Sequence, residues 1–219
     1  MLVQIFEVQT PEEAAALIRL GVDHIGVLVG DGAFPRELST TQTKAIFAAV
    51  PASHKRVALT LSPNLEVVAR VIEETQPDIV QVQAEIGDFP VAMTSVLKMR
   101  FPEIPIIRAV PVIDETSIET AASYRGVADF LLLDSYDLGQ RQFGALGRTH
   151  DWRLSRRIVD ETAIPVILAG GLGPDNVAAA IAAVRPAGVD SKTRPDRPDG
   201  TGKDLAKVQA FAAAAKLTK

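Results

Sequence analysis

Short apolar segments rich in Val and Ile alternate along the chain with longer segments in which apolar residues recur at helical spacing. The short segments predict strands buried on both faces, and the spaced pattern predicts amphipathic helices. Eight such pairs follow one another without an intervening linker. The predicted strands are residues 2–6, 23–29, 56–61, 78–83, 104–112, 128–134, 164–172 (the seventh strand together with its exit) and 187–190.

The helices between these strands carry recognisable end signals. Thr10 is a candidate N-cap followed by Pro11 at the first helical position, and Gly21 follows the end of the same helix. Strict alternation of eight strands and eight helices predicts an α/β fold with a single domain over residues 1–219, a (β/α)8 TIM barrel. A doubly wound sheet also alternates, but eight units in 219 residues fit the closed barrel better.

Two polar segments interrupt the alternation. Residues 135–151 follow the sixth predicted strand, and residues 191–202 follow the eighth. Loops of this length in a compact domain are more often functional than accidental.

The composition narrows the function classes. The chain has no cysteine, so a thiol nucleophile, a disulfide and a cysteine metal site are all excluded. Its formal net charge of −4 gives no electrostatic footprint for nucleic acid or an anionic membrane. Without a signal-peptide pattern or a membrane-length apolar run, we expect a cytoplasmic protein.

The carboxyl ends of barrel strands are where active sites lie, and this rule selects the candidate residues. Asp134 ends the sixth strand, where desolvation would suit a general acid, although it could merely cap a turn. Glu7, after the first strand, could be a general base or the salt-bridge partner of a rim cation. Arg36 could hold a substrate carboxylate or be a solvated charge, and Gln83 and Arg108 are further substrate-binding candidates.

A phosphate site is predicted at the seventh and eighth strands. Gly170 and Gly171 lie between a buried strand and a helix, where missing Cβ atoms allow close approach of a ligand to backbone N–H groups. The same pair could be only a tight turn, but its place in the seventh unit favours phosphate. Ser191, Lys192 and Thr193 follow the eighth strand and complete the predicted site.

The three histidines, at positions 24, 54 and 150, lack the spacing of a metal site, and we predict neither a metal nor a cofactor. Only His150 lies on the predicted active face. We expect the partner to be a small phosphorylated metabolite, with no nucleic acid or membrane, and the chain to be a monomer or homodimer.

Several segments together resemble the phosphoribosylanthranilate isomerase family, a (β/α)8 barrel of tryptophan biosynthesis. They are FPR at 34–36, DIVQVQ at 78–83, FLLLD at 130–134, HDW at 150–152, PVILAGGLGPDNV at 165–177, GVD at 188–190 and GKD at 202–204. The resemblance implies that Asp134 protonates the ribose ring oxygen and that Arg36 receives the anthranilate carboxylate. It also implies that Gly170, Gly171 and residues 191–193 hold the phosphate.

The chain departs from the family pattern at the first strand. Where the family has Lys-Ile-Cys-Gly with the cysteine as general base, this chain has Gln4-Ile5-Phe6-Glu7. After the eighth strand, the family's Ser-Ser-Gly is replaced by Lys192-Thr193-Arg194. Loss of a general base lowers a rate by about 10²- to 10⁴-fold.

These features favour an isomerase-like enzyme that acts on a phosphorylated sugar or aminosugar by an Amadori-type rearrangement. An epimerase, aldolase or lyase acting on a sugar phosphate is an alternative. A non-catalytic protein that binds a phosphorylated metabolite is a third possibility.

Overall fold

Eight parallel strands pair into a closed barrel in the order β1-β10-β9-β6-β5-β4-β3-β2, and the prediction of a (β/α)8 barrel is confirmed. The structure is a computed structural model that describes residues 1–218. The barrel strands are β1 (Leu2–Ile5), β2 (His24–Leu28), β3 (Lys55–Thr60), β4 (Ile79–Val82), β5 (Ile106–Pro111), β6 (Phe130–Asp134), β9 (Val166–Leu168) and β10 (Gly188–Ser191). Between β6 and β9 lies a small antiparallel hairpin of β7 (Tyr136–Asp137) and β8 (Gln142–Phe143).

One helix follows each barrel strand, and the predicted start of the first helix is confirmed. The Thr10 side chain accepts a hydrogen bond from the N–H of Glu13, and Gly21 has φ +87° just beyond the helix. None of the helices in residues 1–218 is long and apolar enough to cross a membrane. The helices are α1 (Pro11–Arg19), α2 (Thr40–Ala48), α3 (Leu65–Thr75), α4 (Val91–Arg100), α5 (Thr116–Ser123), α6 (Trp152–Thr162), α7 (Val177–Val184) and α8 (Leu205–Leu217).

Apolar side chains form separate layers inside and outside the barrel wall. The barrel interior contains Phe6, Leu28, Val57, Leu59, Ile79, Ile107, Ala109, Leu132, Ile167 and Ala169. Alternate residues of the same strands face outward and pack against the helices, as the period of two along a strand requires. Inward-facing residues at the carboxyl end of each strand therefore form the barrel mouth.

The structure differs from the predicted elements mainly at strand ends. The strand predicted over residues 104–112 covers Ile106–Pro111, and that predicted over residues 164–172 covers only Val166–Leu168. The segment predicted as a loop at residues 135–151 contains the β7–β8 hairpin. Each strand of this hairpin has two residues, too few to show a period in the sequence.

Candidate active site

A small pocket opens at the carboxyl ends of β6, β9 and β10. It brings together six of the residues predicted from the sequence and one, Asp190, to which the sequence analysis gave no role. The predicted residues in its wall are Asp134, Gly170, Gly171, Ser191, Lys192 and Thr193. The acid and the phosphate-binding candidates thus share one cavity.

Two buried carboxyl groups, Asp134 and Asp190, lie in the wall of this pocket. Burial raises the pKa of Asp134 to about 6, against hydrogen bonds from Ser135 and Gln83 that favour the ionised form. Burial and the nearby charge of Asp134 raise the pKa of Asp190 to about 8. Because like charges in a desolvated site resist joint ionisation, the pair holds one proton near neutral pH.

Asp190 also has an unused oxygen. Within residues 1–218 its buried Oδ1 has no hydrogen-bond partner, although it lies in the pocket wall. A buried polar atom without a partner is costly unless a ligand or water satisfies it. The sequence offered one signal for this residue, a carboxylate directly after the apolar segment of the eighth strand.

A chain of amide side chains crosses the barrel interior below the two carboxyl groups. His24 Nδ1 lies 2.9 Å from Gln4 Oε1, Gln4 Nε2 donates to Gln81 Oε1 at 3.2 Å, and Gln81 Nε2 donates to Gln83 Oε1 at 3.1 Å. Gln83 in turn hydrogen-bonds Asp134. The structure therefore places Gln83, predicted to bind substrate, as a support for the Asp134 carboxyl.

The predicted phosphate-binding residues present backbone to the pocket more than side chains. The hydroxyl of Ser191 donates to the carbonyl of Leu172 at 2.6 Å, and that of Thr193 donates to the carbonyl of Ala145 at 3.3 Å. Among the described residues, the N–H groups of Gly171 and Thr193 have no backbone acceptor. An oxyanion in the pocket would therefore meet backbone donors, as anion-binding concavities require.

Residues 135–151 fold across this side of the mouth. The N–H of Gly144 donates to the carbonyl of Ser135 at 3.0 Å, and a Cβ at Gly144 would overlap the side chains of Asp134 and Gln83. A Cβ at Gly171 would lie 2.5 Å from the backbone carbon of Arg148. The missing Cβ atoms of these glycines thus make room for residues 135–151 to approach the pocket, and not only for a ligand.

Glu7 and Arg36 lie beside the pocket rather than in its wall. Glu7 follows the end of β1 with φ +61°, and its Oε2 lies 3.1 Å from Nε of Arg36 and 3.3 Å from Nζ of Lys192. Arg36 and Lys192 also lie within 3.5 Å and 3.6 Å of Asp196 Oδ2. Lys203, fully buried, completes the cluster at 2.5 Å from Asp196 Oδ1. Of the two roles predicted for Glu7, the structure places it as a salt-bridge partner.

The prediction that Arg108 binds substrate is not supported by its position. Its neighbours Ile107 and Ala109 face the barrel interior, so Arg108 faces outward into the layer beneath the helices. There its guanidinium donates to the carbonyls of Val82, Ala84, Glu85, Phe89 and Ala109 and to the hydroxyl of Tyr124. Arg108 is a fully buried structural residue, and strand alternation contained the signal for this.

The histidines contribute little to the pocket itself. His150 is half-buried beside Gly170, its Nε2 lies 2.7 Å from Ser155 Oγ, and desolvation lowers its pKa to about 4. Burial likewise lowers the pKa of His24 to about 4. Within residues 1–218, no three His, Asp or Glu side chains converge in an arrangement that could hold a metal ion.

Comparison with known proteins relates this geometry to a family. A family model described as N-(5'-phosphoribosyl)anthranilate (PRA) isomerase matches residues 3–214. The chain belongs to this family. The PRA isomerase of Methanocella arvoryzae is 35% identical over 217 residues, which cover 99% of each chain. The resemblance that the sequence motifs indicated is therefore confirmed.

Solved structures of PRA isomerases have the same fold. Monomers generated from the dimeric enzyme of Thermotoga maritima superpose with a TM-score of 0.81 at 27% identity, covering 99% of this chain and 98% of that one. A PRA isomerase bound to reduced 1-(o-carboxyphenylamino)-1-deoxyribulose 5-phosphate gives a TM-score of 0.82 at 26% identity, with the same coverage.

Proposed function

We propose that this chain isomerises a phosphorylated aminosugar by an Amadori-type rearrangement, with Asp134 and Asp190 transferring the protons. The observation that carries the proposal is the pair of buried carboxyl groups in the wall of the pocket formed by Gly170, Gly171 and Ser191. Two carboxyl groups that share one proton provide both an acid and a base near neutral pH. Membership of the PRA isomerase family gives the reaction class.

The proposed steps balance in protons and electrons. The shared proton lies mainly on Asp190, whose pKa is the higher, so the reactive form is the minor one in which the proton is on Asp134. From that form Asp134 donates the proton to the ribose ring oxygen, and the bond from C1 to that oxygen breaks to give an iminium ion. The Asp190 carboxylate then takes the proton from C2. The electron pair of that C–H bond forms an enolamine, which tautomerises to the amino ketose. Asp190 thereby takes the place of the cysteine that the family has at the position of Phe6.

Asp190 suits the role of base better than Glu7 does. Asp190 lies in the pocket wall, and its buried Oδ1 has no hydrogen-bond partner in the described part of the chain. The Glu7 carboxylate is instead held between the cationic groups of Arg36 and Lys192. Glu7 would have to leave both cations before it could reach a sugar carbon.

We propose that the substrate phosphate binds to the backbone of residues 170–171 and 191–193. The positive φ angles of Gly170 and Gly171, +83° and +60°, turn successive backbone groups towards one concavity. The Lys192 side chain points away to Glu7 and Asp196, so its charge contributes at a distance. The proposed partner is thus a small phosphorylated metabolite. We also propose that the protein is cytoplasmic and that it is a monomer or a homodimer.

One observation favours a second candidate, a non-catalytic protein that binds a phosphorylated aminosugar. Phe6 stands where the resemblance places the catalytic cysteine, and its ring lies inside the barrel against Gly26. An apolar ring at this position cannot accept a proton. If Asp190 does not act as a base, the pocket would retain a phosphate site and an acid without a complete catalytic pair.

Turnover separates the two candidates. We expect the purified protein to convert 5-phosphoribosylamines with anthranilate or aniline as the N-substituent into amino ketoses, detected by NMR. Asp134→Asn should lower kcat by about 10²- to 10⁴-fold, because a general acid is lost. The exposed Asp160→Asn, on helix α6 and paired with Arg156, is a matched control that should leave kcat unchanged. Binding without conversion of either compound would support the non-catalytic candidate and contradict the isomerase.

A further inference from the structure

A buried amide, Gln4, lies between one carboxyl group of the candidate site and a histidine outside the pocket. Its Cα pairs in register with Asp190 on β10 and with His24 on β2, and all three side chains are buried. Gln4 hydrogen-bonds the Asp190 carboxyl, and its Nε2 donates to Gln81 Oε1 at 3.2 Å. Its Oε1 lies 2.9 Å from His24 Nδ1. Gln4 therefore presents its oxygen to the histidine and its N–H groups to the other two residues.

Two further amides extend this contact to the second carboxyl group. Gln81 Nε2 donates to Gln83 Oε1 at 3.1 Å, which leaves Nε2 of Gln83 as the atom that hydrogen-bonds Asp134. A Cβ at Gly144 would overlap both Asp134 Oδ2 and Gln83 Nε2, so these two atoms lie close together. Gln4, Gln81 and Gln83 thus form an amide chain that presents an N–H group to each carboxyl group of the site.

The direction of the amide chain is not fixed by the amides themselves. A primary amide has an oxygen that accepts and a nitrogen that donates, so all three amides could turn over together and keep the hydrogen bonds between them. In the reversed chain an amide oxygen would face each carboxyl group. Such an oxygen accepts a hydrogen bond from a protonated carboxyl group and repels an ionised one. The groups at the ends of the amide chain therefore decide its direction.

His24 supplies a donor at the end of the amide chain that lies away from the pocket. Because Gln4 Oε1 can only accept, the contact with His24 Nδ1 requires a proton on this nitrogen. Burial lowers the pKa of His24 to about 4, with a smaller effect of Lys55 in the same sense and opposing effects of Asp23 and Asp78. The ring is therefore uncharged at neutral pH, and its single proton is the one on Nδ1.

We propose that His24 is a positioning residue, whose Nδ1–H holds the amide chain in the direction that places an N–H group against each of Asp134 and Asp190. Its consequence for catalysis rests on the proposed function. A hydrogen bond donated to a carboxylate favours the ionised form, so the amide chain makes Asp134 a stronger acid and favours ionised Asp190 as the base. The charge of Lys203 also favours ionised Asp190, whereas the amide chain acts on both carboxyl groups.

Nitrogen NMR of the histidine rings measures the position of the His24 proton directly. At neutral pH we expect an uncharged ring with its proton on Nδ1. A ring protonated only on Nε2 would overturn the proposal, because Nδ1 would then accept a hydrogen bond and the Gln4 amide would have to be reversed.

Two substitutions of His24 separate the donor from the ring. His24→Leu has a similar volume but no donor, so the amide chain can reverse. Both carboxyl groups should then lose their protons at a pH higher by about one unit, the order of effect of one hydrogen bond to a charged group. His24→Asn can place an N–H group near the position of Nδ1 and should restore both titrations. Carbon NMR of the aspartate carboxyl groups in the substrate-free protein measures them.

Two further variants show whether His24 acts through the amide chain. Gln81→Met breaks the chain in its middle at similar volume, so the titration of Asp134 should shift to higher pH while that of Asp190, which Gln4 still contacts, should change less. This variant also tests the chain if His24→Leu does not fold. His54→Leu changes a half-buried histidine in the loop before β3 and should leave both titrations unchanged.

The outcomes separate this inference from the proposed function. Unchanged carboxyl titrations in His24→Leu, or a shift that His24→Asn does not reverse, would overturn the role of His24 even if turnover is observed. The expected shift and its rescue without turnover would support the role of His24 and contradict the isomerase. With turnover, the pH profile of kcat/KM in His24→Leu should move to higher pH by the same amount, and a profile that stays in place would contradict the proposal.

Discussion

At the scale of single residues, the side on which a strand residue lies decides its role. Arg108 and Asp134 both sit near the carboxyl ends of barrel strands, yet only Asp134 faces the pocket. The alternation of Ile107 and Ala109 inside the barrel turns Arg108 outward. The position of a residue along its strand decides at which end of the barrel it lies. The alternation of side chains along the strand decides whether it faces the barrel interior or the helices.

Arg108 gives a direct test of this distinction. Arg108→Lys should lower the free energy of unfolding by about 3 kcal/mol, because several buried carbonyls lose a charged donor. The affinity for a phosphorylated ligand should stay the same, since Arg108 lies outside the pocket. Urea unfolding and calorimetric titration measure the two quantities.

The control for Arg108 is Arg56→Lys, which weakens a half-exposed pair with Asp78 and should lower the free energy of unfolding by less than about 1 kcal/mol. A loss of ligand affinity in Arg108→Lys with unchanged stability would restore the original substrate-binding prediction.

Other residues show which parts of the candidate site could be predicted from the sequence and which could not. Asp134 and the Gly170-Gly171 pair could be placed at the mouth because they end apolar segments of the alternating pattern. The contacts of Glu7 could not, since its cations come from residues 36 and 192, far apart in the chain. Asp196 gave no signal, because a polar residue in a polar loop carries no period, and Lys203 entered only as part of the GKD motif, without a role.

At the scale of elements, residues 135–151 form one wall of the candidate site. Gly144, Arg148 and His150 approach Asp134, Gly171 and Gly170 respectively. The sequence predicted that this segment is functional, but its hairpin and its contacts depend on long-range packing. A glycine that a sequence motif assigns to a ligand can thus also accommodate a neighbouring segment of the chain.

Gly171→Ala tests that close approach. The new Cβ would lie 2.5 Å from the Arg148 backbone, so residues 135–151 must move outward. We expect faster amide hydrogen exchange in this segment and about tenfold weaker binding of reduced 1-(o-carboxyphenylamino)-1-deoxyribulose 5-phosphate, a loss equal to about 1.4 kcal/mol. Gly126→Ala is the matched control, because Gly126 has φ +76° but no atom within 4 Å of a Cβ.

Both alanine variants carry the strain of a positive φ angle, about 1–2 kcal/mol. Only the difference between them reports the contact with residues 135–151. The same exchange rates and ligand affinity in both variants would contradict a close approach of that segment at Gly171.

At the scale of the whole molecule, the alternating pattern was enough to predict the barrel. Eight apolar strands between eight helices have few ways to bury every strand on both faces, and closure is the one that fits 219 residues. Strand ends were less predictable, since Ala169 to Leu172 contain no polar side chain that would mark the end of β9, yet they belong to the mouth. The overall fold follows from periodicity, whereas the site depends on where the strands stop.

The central claim concerns the carboxyl pair, and the pH dependence of kcat/KM tests it most directly. Below about pH 6 both Asp134 and Asp190 are protonated and no base is present, whereas above about pH 8 both are ionised and no acid is present. The profile should therefore rise and then fall between pH 5 and pH 9. Ionisation of the substrate phosphate contributes equally to the pH profiles of the unmodified protein and of Asp190→Asn. The difference between the two profiles therefore reports the titration of the carboxyl pair.

With a turned-over aminosugar phosphate as substrate, we predict a two-limbed profile for the unmodified protein. Asp190→Asn should lose the rising limb at low pH, because the remaining carboxyl, Asp134, acts only as the acid, and kcat/KM should fall by about 10²- to 10⁴-fold. An Asp190→Asn variant with full activity and both limbs intact would contradict the assignment of Asp134 and Asp190 as the proton-transfer pair.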